Sequence, residues 1–422
     1  MRHLNFILVS LIIVLCCGIL SSQPTIVSTA KMNHPYIHPT PGEITIMAIN
    51  PTPQDIEPTK QSYIDVINCG FNLVSMQGTL DFYKRQFQII DTLNLKYLIS
   101  NGLIANGKAL SFVEALKDYP QFGGYIFKDE PRYENLQALK ESYDKLYAED
   151  SSHFIYFNLI SGINKVFTGP FTKYPDYLDY IQNMFQPQMW SNDYYPIFNN
   201  NGKISVTYGF FYNNFENLRN ISKATDRPFW AFCQSMAFKT KYVDQPAATE
   251  AYLRFEAFTA LAYGAQGIVY WTYGQRKSTE TETYSSALVN LNGKKTKAWY
   301  AAQKINNEIK RYNDVFFEGN VIDLKHSGKV KYTDSHITNG TFGPFKNITH
   351  GDAGFILSHI IKDSTHYIMI ISRDVTARQN LKFNIDSNLK IIDITDNNKT
   401  YSDKETFSCT LDKAGYRIFK IS

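Results

Sequence analysis

Eight short apolar runs alternate with helix-like stretches, and this alternation restricts the possible folds more than any other feature of the chain. The runs span residues 43–50, 71–78, 95–102, 122–131, 153–160, 187–196, 227–236 and 265–274. Strands that alternate with helices pair in parallel and are covered by helices on the outside. Eight such units in about 270 residues have the number and length of a (β/α)8 barrel. A doubly wound open sheet would carry a glycine-rich turn after its first strand, and the "AINPTPQ" segment is not one.

The apolar runs turn polar at their C-terminal ends. The residues at these ends are Asn50, Gln77, Asn101, Asp129, Glu130, Asn158, Asp193 and Gln234, and the last run ends with Trp271 and Tyr273. Parallel strands of a barrel all end on one face, which is the face where barrel enzymes build their active sites. The sequence therefore predicts a ring of candidate site residues on that face.

The chain is predicted to have four parts. Residues 1–22 contain a basic start, an apolar core and small residues, which is typical of a signal peptide, and residues 23–42, rich in Pro, Thr and His, are predicted to be a linker. Residues 43–314 would form the barrel. Residues 315–422 have the alternating pattern of strands and turns rich in Asn, Asp and Gly, which predicts a C-terminal all-β sandwich.

The predicted signal peptide implies an exported protein that is periplasmic, cell-surface or secreted. A lipid anchor on Cys16 is less favoured, because the large side chain of Leu15 makes a poor processing site. No other segment is apolar enough to span a membrane, so no membrane association is expected beyond such an anchor.

Composition and motifs exclude several classes of function. The formal net charge is +4 and the basic residues are not clustered, so a nucleic-acid partner is not expected. The histidines form no HxH pair or cluster with carboxylates, which argues against a metal site. The sequence also lacks a phosphate-binding loop and a GxSxG nucleophile motif. No metal and no cofactor are therefore predicted.

Two adjacent carboxylates, Asp129 and Glu130, end the fourth run in "GGYIFKDEPR". Glycosidic bond cleavage needs a proton donor at the leaving oxygen and a second group acting at the anomeric carbon. Glu130 is the candidate general acid, since its neighbour Asp129 would raise the pKa of Glu130 by like-charge repulsion. The alternatives are a salt bridge with Lys128 or Arg132, or a helix N-cap by Asp129.

The strand ends also resemble a known group of enzymes. "GGYIFKDEP", "NDYYP", "PFWAFCQS" and "AYGAQGIVYWTY" are similar to strands four, six, seven and eight of clan A (β/α)8 glycoside hydrolases, including the β-galactosidase-like family 42. The resemblance covers residues 43–312 and places Glu130 at the acid/base position. Two positions depart from the family pattern. Asp129 replaces the Asn before the acid, and Gln234 stands where the family has its Glu nucleophile. A neutral amide cannot form the glycosyl ester.

Three interpretations follow from these departures. In the first, Asp129 and Glu130 act as the adjacent pair of hexosaminidase-type enzymes (families 20 and 123), which they resemble, and the 2-acetamido group of the substrate is the nucleophile. In the second, Asp193 faces Glu130 and activates water with inversion. That mechanism requires carboxyl groups roughly 6.5–9.5 Å apart. In the third, catalysis is lost and the barrel is a non-catalytic carbohydrate-binding protein.

Further residues of the predicted ring are candidates for substrate binding. Gln234, Tyr194 or Tyr195 would hold the acetamido oxygen, and aromatic rings would form a platform for the apolar face of a sugar. The complete set is Gln77, Asn158, Trp190, Tyr194, Tyr195, Trp230, Gln234, Trp271 and Tyr273. The sequence thus predicts an exported glycoside hydrolase that degrades an oligo- or polysaccharide, with Glu130 as general acid and Asp129 or Asp193 as the second group.

Overall fold

A computed structural model describes residues 34–162, 168–328, 330, 338–349, 351–385, 388–402 and 405–422. The predicted signal peptide at 1–22 lies outside these ranges. Among the helices in these ranges, none has the length and the apolar character needed to cross a membrane.

The described residues before position 290 include thirteen strands. They are β1 Thr45–Ile49, β2 Leu73–Gln77, β3 Lys96–Ser100, β4 Phe122–Asp129, β5 Phe154–Asn158, β6 Trp190–Asn192, β7 Ile197–Asn200, β8 Lys203–Val206, β9 Phe229–Gln234, β10 Ala237–Lys239, β11 Asp244–Gln245, β12 Gly267–Trp271 and β13 Thr283–Ser285. Eight of these form a parallel sheet in the order β5-β4-β3-β2-β1-β12-β9-β6. A parallel bridge between Leu159 and Asn192 links β5 to β6 and completes the ring. The predicted (β/α)8 barrel is confirmed.

Helices cover the outside of this barrel. They are α1 Lys60–Asn68, α2 Leu80–Ile89, α3 Gly102–Ala105, α4 Leu110–Leu116, α5 Leu136–Glu149, α6 Tyr174–Phe185, α7 Tyr208–Thr225, α8 Glu250–Tyr263, α9 Lys297–Arg311 and α10 Asn313–Phe316, with a 3-10 turn at Tyr133–Asn135. Threonine starts several of them: the side chains of Thr59, Thr79, Thr249 and Thr296 each accept a hydrogen bond from a backbone N–H of the first turn.

Side chains alternate between two cores along each barrel strand. The inner core fills the barrel and contains Met47, Leu73, Leu98, Phe154, Tyr156, Met189, Trp230, Phe232 and Val269. The residues between them, such as Phe229, Ala231 and Cys233 on β9, pack with the helices in the outer core. This alternation identifies the inward-facing positions of each strand. On β9 these are Trp230, Phe232 and Gln234.

The described part of the predicted linker packs against the barrel, so the prediction of a linker over 23–42 is wrong for residues 34–42. His34 is buried, with its Nδ1 3.2 Å from the Gln186 carbonyl oxygen and its ring 3.9 Å from that of Tyr147. Tyr36 packs edge-on against Phe154 at 5.9 Å, beside the inner core. Phe154 is the first residue of β5, so this segment covers the N-terminal end of the barrel.

A two-sheet sandwich follows α10. Its strands are β14 Asn320–His326, β15 Phe345–Thr349, β16 Phe355–Lys362, β17 Thr365–Ser372, β18 Gln379–Ile385, β19 Ile391–Asp393, β20 Lys399–Tyr401, β21 Thr406–Leu411 and β22 Tyr416–Ile421. They form a six-stranded sheet (β14-β16-β17-β22-β19-β20) and a three-stranded sheet (β15-β18-β21) around a separate apolar core. The other face of the six-stranded sheet packs on α8. The predicted β-sandwich is confirmed, and the predicted boundary at 314 falls within α10.

We predict that Gly124→Ala destabilises the barrel by about 3 kcal/mol or more. Gly124 lies on β4 with a φ of +130°, and a Cβ added there would lie 2.0 Å from the backbone oxygen of Phe154. Urea unfolding followed by circular dichroism measures the change. Gly102→Ala is the matched control, because a Cβ at Gly102 meets no atom within 4 Å. Equal stability of the two variants would contradict this description of the β4–β5 contact.

Candidate active site

A bulge in β4 directs Asp129 into the mouth of the barrel. Ile126 pairs with Tyr156, but the next pairs are Lys128 with Phe157 and Asp129 with Asn158, so β4 has one residue more than β5 here. The extra residue reverses the alternation, because β4 side chains beyond it change sides. Asp129 therefore shares the inward-facing position of Asn158. A regular strand would have turned Asp129 towards the helices.

Glu130 follows the bulge in a left-handed backbone conformation, with a φ of +39°. Its N–H donates a hydrogen bond to the carbonyl oxygen of Asn158 at 3.0 Å, which fixes the end of β4 to β5. Such a conformation is costly for a non-glycine residue and is common at functional sites.

Asn158 joins the two aspartates of the site. Its Nδ2 donates to Asp129 Oδ1 at 2.9 Å and to Asp193 Oδ1 at 3.1 Å. The charge of Asp193 affects the pKa of Glu130 more strongly than any other cause does, so these two side chains are also close neighbours. Three carboxyl groups thus lie close together on the C-terminal face of the barrel, and we call Asp129, Glu130 and Asp193 the carboxyl cluster.

Crowding raises the pKa of all three carboxyl groups. The nearby charge of Asp193 is the main cause of the raised pKa of Glu130, followed by desolvation and by the charge of Asp129. Desolvation is the main cause of the raised pKa of Asp129 and Asp193, and the hydrogen bonds from Asn158 oppose it at both. Glu130 is the only one of the three whose pKa is raised mainly by a neighbouring negative charge, and it has no opposing hydrogen bond among its causes, so Glu130 is the group favoured to keep a proton.

The cluster is surrounded by protein and still open to a ligand. Asp129 and Glu130 are solvent-exposed and Asp193 is half-buried, although desolvation contributes to the pKa of each. The N-cap alternative does not describe this arrangement, because the 3-10 turn after the pair has Arg132 at its N-cap, not Asp129. The positive charge of Lys128 does lower the pKa of Asp129, but desolvation raises that pKa more strongly.

Gln234 faces inward at the end of β9, at the position where the family nucleophile was expected. Its Nε2 donates to the carbonyl oxygens of Met236 at 3.1 Å and Pro246 at 2.9 Å. Behind it, the buried Glu256 of α8 accepts a hydrogen bond from the Gln234 backbone N–H at 2.9 Å. Both amide hydrogens of Gln234 are therefore engaged with backbone, and only its side-chain oxygen remains for a ligand.

Aromatic rings form a wall beside the cluster. The half-buried Trp271 lies at the end of β12, with its ring 5.9 Å from Tyr195, 6.0 Å from Phe238 and 6.1 Å from Tyr284. Phe238 and Tyr284 belong to a small sheet, β11-β10-β13, built from the segments that follow β9 and β12. The charges of all three cluster carboxyls act on Tyr195. Tyr195 is thus a neighbour of the cluster, and Trp271 packs against Tyr195.

Three aromatic residues predicted for the sugar platform are in the core, so that part of the prediction is wrong. Trp190 is buried in the outer core, where its Nε1 donates to Thr225 Oγ1 at 2.9 Å. Trp230 is buried in the inner core against Phe154, near the N-terminal end of the barrel. Tyr273 is buried in the outer core and accepts a hydrogen bond from Trp299.

The other predicted binding residues have different positions. Asn158 is buried and fully engaged with protein groups, so it supports the carboxyl cluster rather than a ligand. The Tyr194 hydroxyl is paired with Thr207 Oγ1 at 2.5 Å. Gln77 is exposed at the end of β2. In the part of the chain that the structure describes, no three His, Cys, Asp or Glu side chains are arranged to hold a metal ion.

Several residues of the site were not predicted from the sequence. Ser191 and Tyr156 lie behind Asn158, Glu256 lies behind Gln234, and Phe238 and Tyr284 extend the aromatic wall. Tyr156 is two residues before Asn158, so the strand period alone could have identified its inward position. Glu256 could also have been identified from the sequence. It lies in the apolar stretch "RFEAFTALAY", and a carboxyl group buried in such a stretch needs a hydrogen-bond partner.

Comparisons with known proteins agree with this architecture. Residues 136–312 match the model of the β-galactosidase family Glyco_hydro_42; the match starts after Glu130 and includes Asp193 and Gln234. A comparison with curated protein sequences returns no significant match.

Solved glycosidase structures share the fold at low sequence identity. A β-galactosidase from Bacillus circulans sp. alkalophilus has a TM-score of 0.61 at 9% identity, over 90% of this chain and 99% of its own. A family 42 β-galactosidase from G. stearothermophilus has a TM-score of 0.62 at 8% identity, over 92% and 100%. A family 5 glycoside hydrolase from Bacteroides vulgatus has a TM-score of 0.55 at 11% identity, over 90% of this chain and 89% of its own. The predicted resemblance to clan A barrels is confirmed, and the family match supports a glycosidase.

We predict that Asp193→Asn lowers the pKa of Glu130 towards that of an ordinary glutamate. The variant removes the charge that acts most strongly on Glu130, and its amide can donate to an ionised Glu130. Infrared titration of the protonated carboxyl band measures the shift, with Glu130→Gln to assign the band. Asp179→Asn, at an exposed position of α6, is the control. An unchanged band in Asp193→Asn would show that Asp193 does not hold the proton on Glu130.

We also predict that Gln234→Glu destabilises the protein and gives no activity on glycosides that lack a 2-acetamido group. The new carboxyl would face two backbone oxygens that now accept hydrogen bonds, at a cost of about 2–4 kcal/mol. Thermal unfolding and a hydrolysis assay measure both effects. Gln88→Glu, on the exposed side of α2, is the matched control. A stable variant that hydrolyses plain hexosides would show that Glu at position 234 can act as the nucleophile.

Proposed function

We propose that this chain is a glycoside hydrolase in which Glu130 protonates the glycosidic oxygen. The observation that carries the proposal is the position of Glu130 in the carboxyl cluster, solvent-exposed on the C-terminal face of the barrel and beside Asp193, whose charge is the main cause of the raised pKa of Glu130. A general acid must hold its proton at neutral pH and reach the substrate, and Glu130 meets both requirements. The match to a β-galactosidase family model supports the same reaction class.

Asp129 is the better candidate for the second group. An inverting pair needs its carboxyl groups roughly 6.5–9.5 Å apart, with water between them. The charge of Asp193 is instead the main cause of the raised pKa of Glu130, which indicates that the two carboxyl groups lie closer together than such a pair. Gln234 cannot form a glycosyl ester. These two observations favour a nucleophile supplied by the substrate, the 2-acetamido group of an N-acetylhexosamine.

The proposed reaction has two steps. In the first, Glu130 gives its proton to the leaving oxygen while the acetamido oxygen of the substrate attacks the anomeric carbon; Asp129 accepts a hydrogen bond from the acetamido N–H and stabilises the positive charge of the cyclic intermediate. In the second, ionised Glu130 takes a proton from water, which attacks the anomeric carbon and reopens the ring. Two displacements at the same carbon retain its configuration.

Two aromatic side chains are the candidates to bind this substrate. Tyr195 interacts with the charges of the cluster carboxyls, so its hydroxyl is the best remaining donor for the acetamido oxygen. Both amide hydrogens of Gln234 are engaged with backbone, and the hydroxyl of Tyr194 is paired with Thr207. Trp271 offers the ring for the apolar face of the sugar.

The signal peptide predicted from the sequence supports a proposal for the location of the protein. We propose that the chain is exported, by the signal peptide at 1–22, and that it acts on an oligo- or polysaccharide outside the cytoplasm. The non-catalytic carbohydrate-binding barrel is the second candidate. One observation favours it: a structural glutamine, tied to two backbone carbonyls, occupies the position of the family nucleophile.

We predict that Glu130→Gln lowers the hydrolysis of aryl 2-acetamido-hexosides by about 10²–10⁴-fold and that plain hexosides are poor substrates for the wild type. Gln keeps the size of the side chain but carries no transferable proton. Release of the aryl alcohol measures the rate, and Glu141→Gln, at an exposed position of α5, is the control. Fast hydrolysis of plain hexosides would contradict the role of the acetamido group. Glycan binding without turnover by the wild type would favour the non-catalytic barrel.

A further inference from the structure

We propose that Asn158 is a positioning residue that confines the proton of the carboxyl cluster to Glu130, by donating its two amide hydrogens to Asp129 and Asp193. The effect of this confinement on catalysis rests on the function proposed above. The location of the proton does not depend on that function.

A hydrogen bond to the side-chain oxygen of Asn158 fixes the orientation of its amide. Ser191 Oγ donates to Asn158 Oδ1 at 2.9 Å, and Tyr156 Oη lies 2.8 Å from Ser191 Oγ. A serine hydroxyl has one hydrogen, which here goes to Asn158, so Tyr156 donates to Ser191. The three side chains form a directed relay, Tyr156 to Ser191 to Asn158. Rotating the amide by half a turn would bring its oxygen against two carboxylates.

The amide nitrogen of Asn158, held in this orientation, favours the ionised state of Asp129 and Asp193. Both hydrogens of its Nδ2 are directed at aspartate oxygens, Oδ1 of Asp129 and Oδ1 of Asp193. A charged carboxylate accepts such bonds more strongly than a neutral acid, so Asn158 stabilises the ionised form of both residues. The carboxyl group of Glu130 accepts no hydrogen bond from the Asn158 amide. Glu130 is therefore the member of the cluster that holds the proton.

Burial makes the relay effective. Tyr156, Ser191 and Asn158 are each at most 2% exposed, so water does not compete for their hydrogen bonds. All three lie on neighbouring barrel strands, Tyr156 and Asn158 on β5 and Ser191 on β6, which fixes their spacing. Hydrogen bonds in such a dry, rigid setting act more strongly than at a surface. The same network fixes the positions of Asp129 and Asp193 relative to Glu130.

The test compares the protonated carboxyl band in the infrared spectrum of single and double variants at mildly alkaline pH, all made in a Glu256→Gln background, because burial also raises the pKa of Glu256 and its protonated carboxyl would give the same band. We expect the band in the background protein and its loss in Glu130→Gln, because the remaining two aspartates stay ionised. In Asn158→Leu combined with Glu130→Gln we expect the band to return, because the aspartates lose their donors and one of them takes the proton. A band that persists in Glu130→Gln alone, or its absence from the double variant, would overturn the proposal.

Asn192→Leu is the matched control for structural damage. Asn192 is a buried asparagine on β6 whose amide faces the helices, where it pairs with Tyr174 of α6 and Asn214 of α7 and makes no hydrogen bond to the cluster carboxyls. Combined with Glu130→Gln, it should lower stability without restoring the band. Ser191→Ala is the second variant if Asn158→Leu does not fold: it removes the donor that orients Asn158 and leaves the cluster intact. With Glu130→Gln, it should restore part of the band, and absence of any band would contradict the relay.

A kinetic measurement separates this proposal from the proposed function. With an active substrate, Asn158→Leu should lower kcat about tenfold or more and change KM little, because the proton donor is affected rather than substrate binding. Asn192→Leu should leave kcat near the wild-type value. An unchanged kcat in Asn158→Leu would contradict the catalytic consequence. If the wild type hydrolyses nothing, the proposed function fails, and the infrared comparison still decides where the proton lies.

Discussion

Three carboxyl groups meet at the mouth of the barrel, and the cost of ionising all three determines the chemistry available there. Asp129, Glu130 and Asp193 come from strand ends that a (β/α)8 barrel brings to one face, and the bulge in β4 turns Asp129 inward. Like charges in so small a volume cannot all ionise, so one proton stays at neutral pH. Asn158 donates to two of the groups and leaves the proton to the third. The surrounding structure holds this arrangement in place.

The rest of the fold stabilises the strand ends that carry these groups. The six-stranded sheet of the sandwich packs on α8, where Ser358 Oγ donates to the carbonyl oxygen of Ala262 at 2.7 Å. The same helix carries Glu256, whose carboxyl accepts the backbone N–H of Gln234 at the end of β9. Burial raises the pKa of Glu256 well above its usual range, so Glu256 holds this strand end without adding a charge beside the carboxyl cluster. The sandwich is thus packed against the helix that supports β9.

The sequence predicted the barrel and the ring of polar residues because both depend on simple periodicity. Eight apolar runs with polar ends can close only with those ends on one face, which places Asp129, Glu130 and Asp193 together. The aromatic platform was predicted less well, because aromatic residues pack a core as readily as they bind a sugar. Trp230 is four residues before Gln234 and so lies deep in the barrel. Counting residues along the strand would have excluded Trp230 from the predicted sugar platform. Asn158 was assigned to substrate because its partners Ser191 and Asp193 lie more than thirty residues away in sequence.

The anomeric configuration of the first product tests the central claim most directly. Proton NMR of the early products from a 2-acetamido-hexoside distinguishes the two anomers before they equilibrate. The account predicts retention, because the acetamido oxygen of the substrate and then water displace at the same carbon. Inversion would contradict it: a single displacement by water would make Asp193 the base and would require Glu130 and Asp193 to separate when substrate binds.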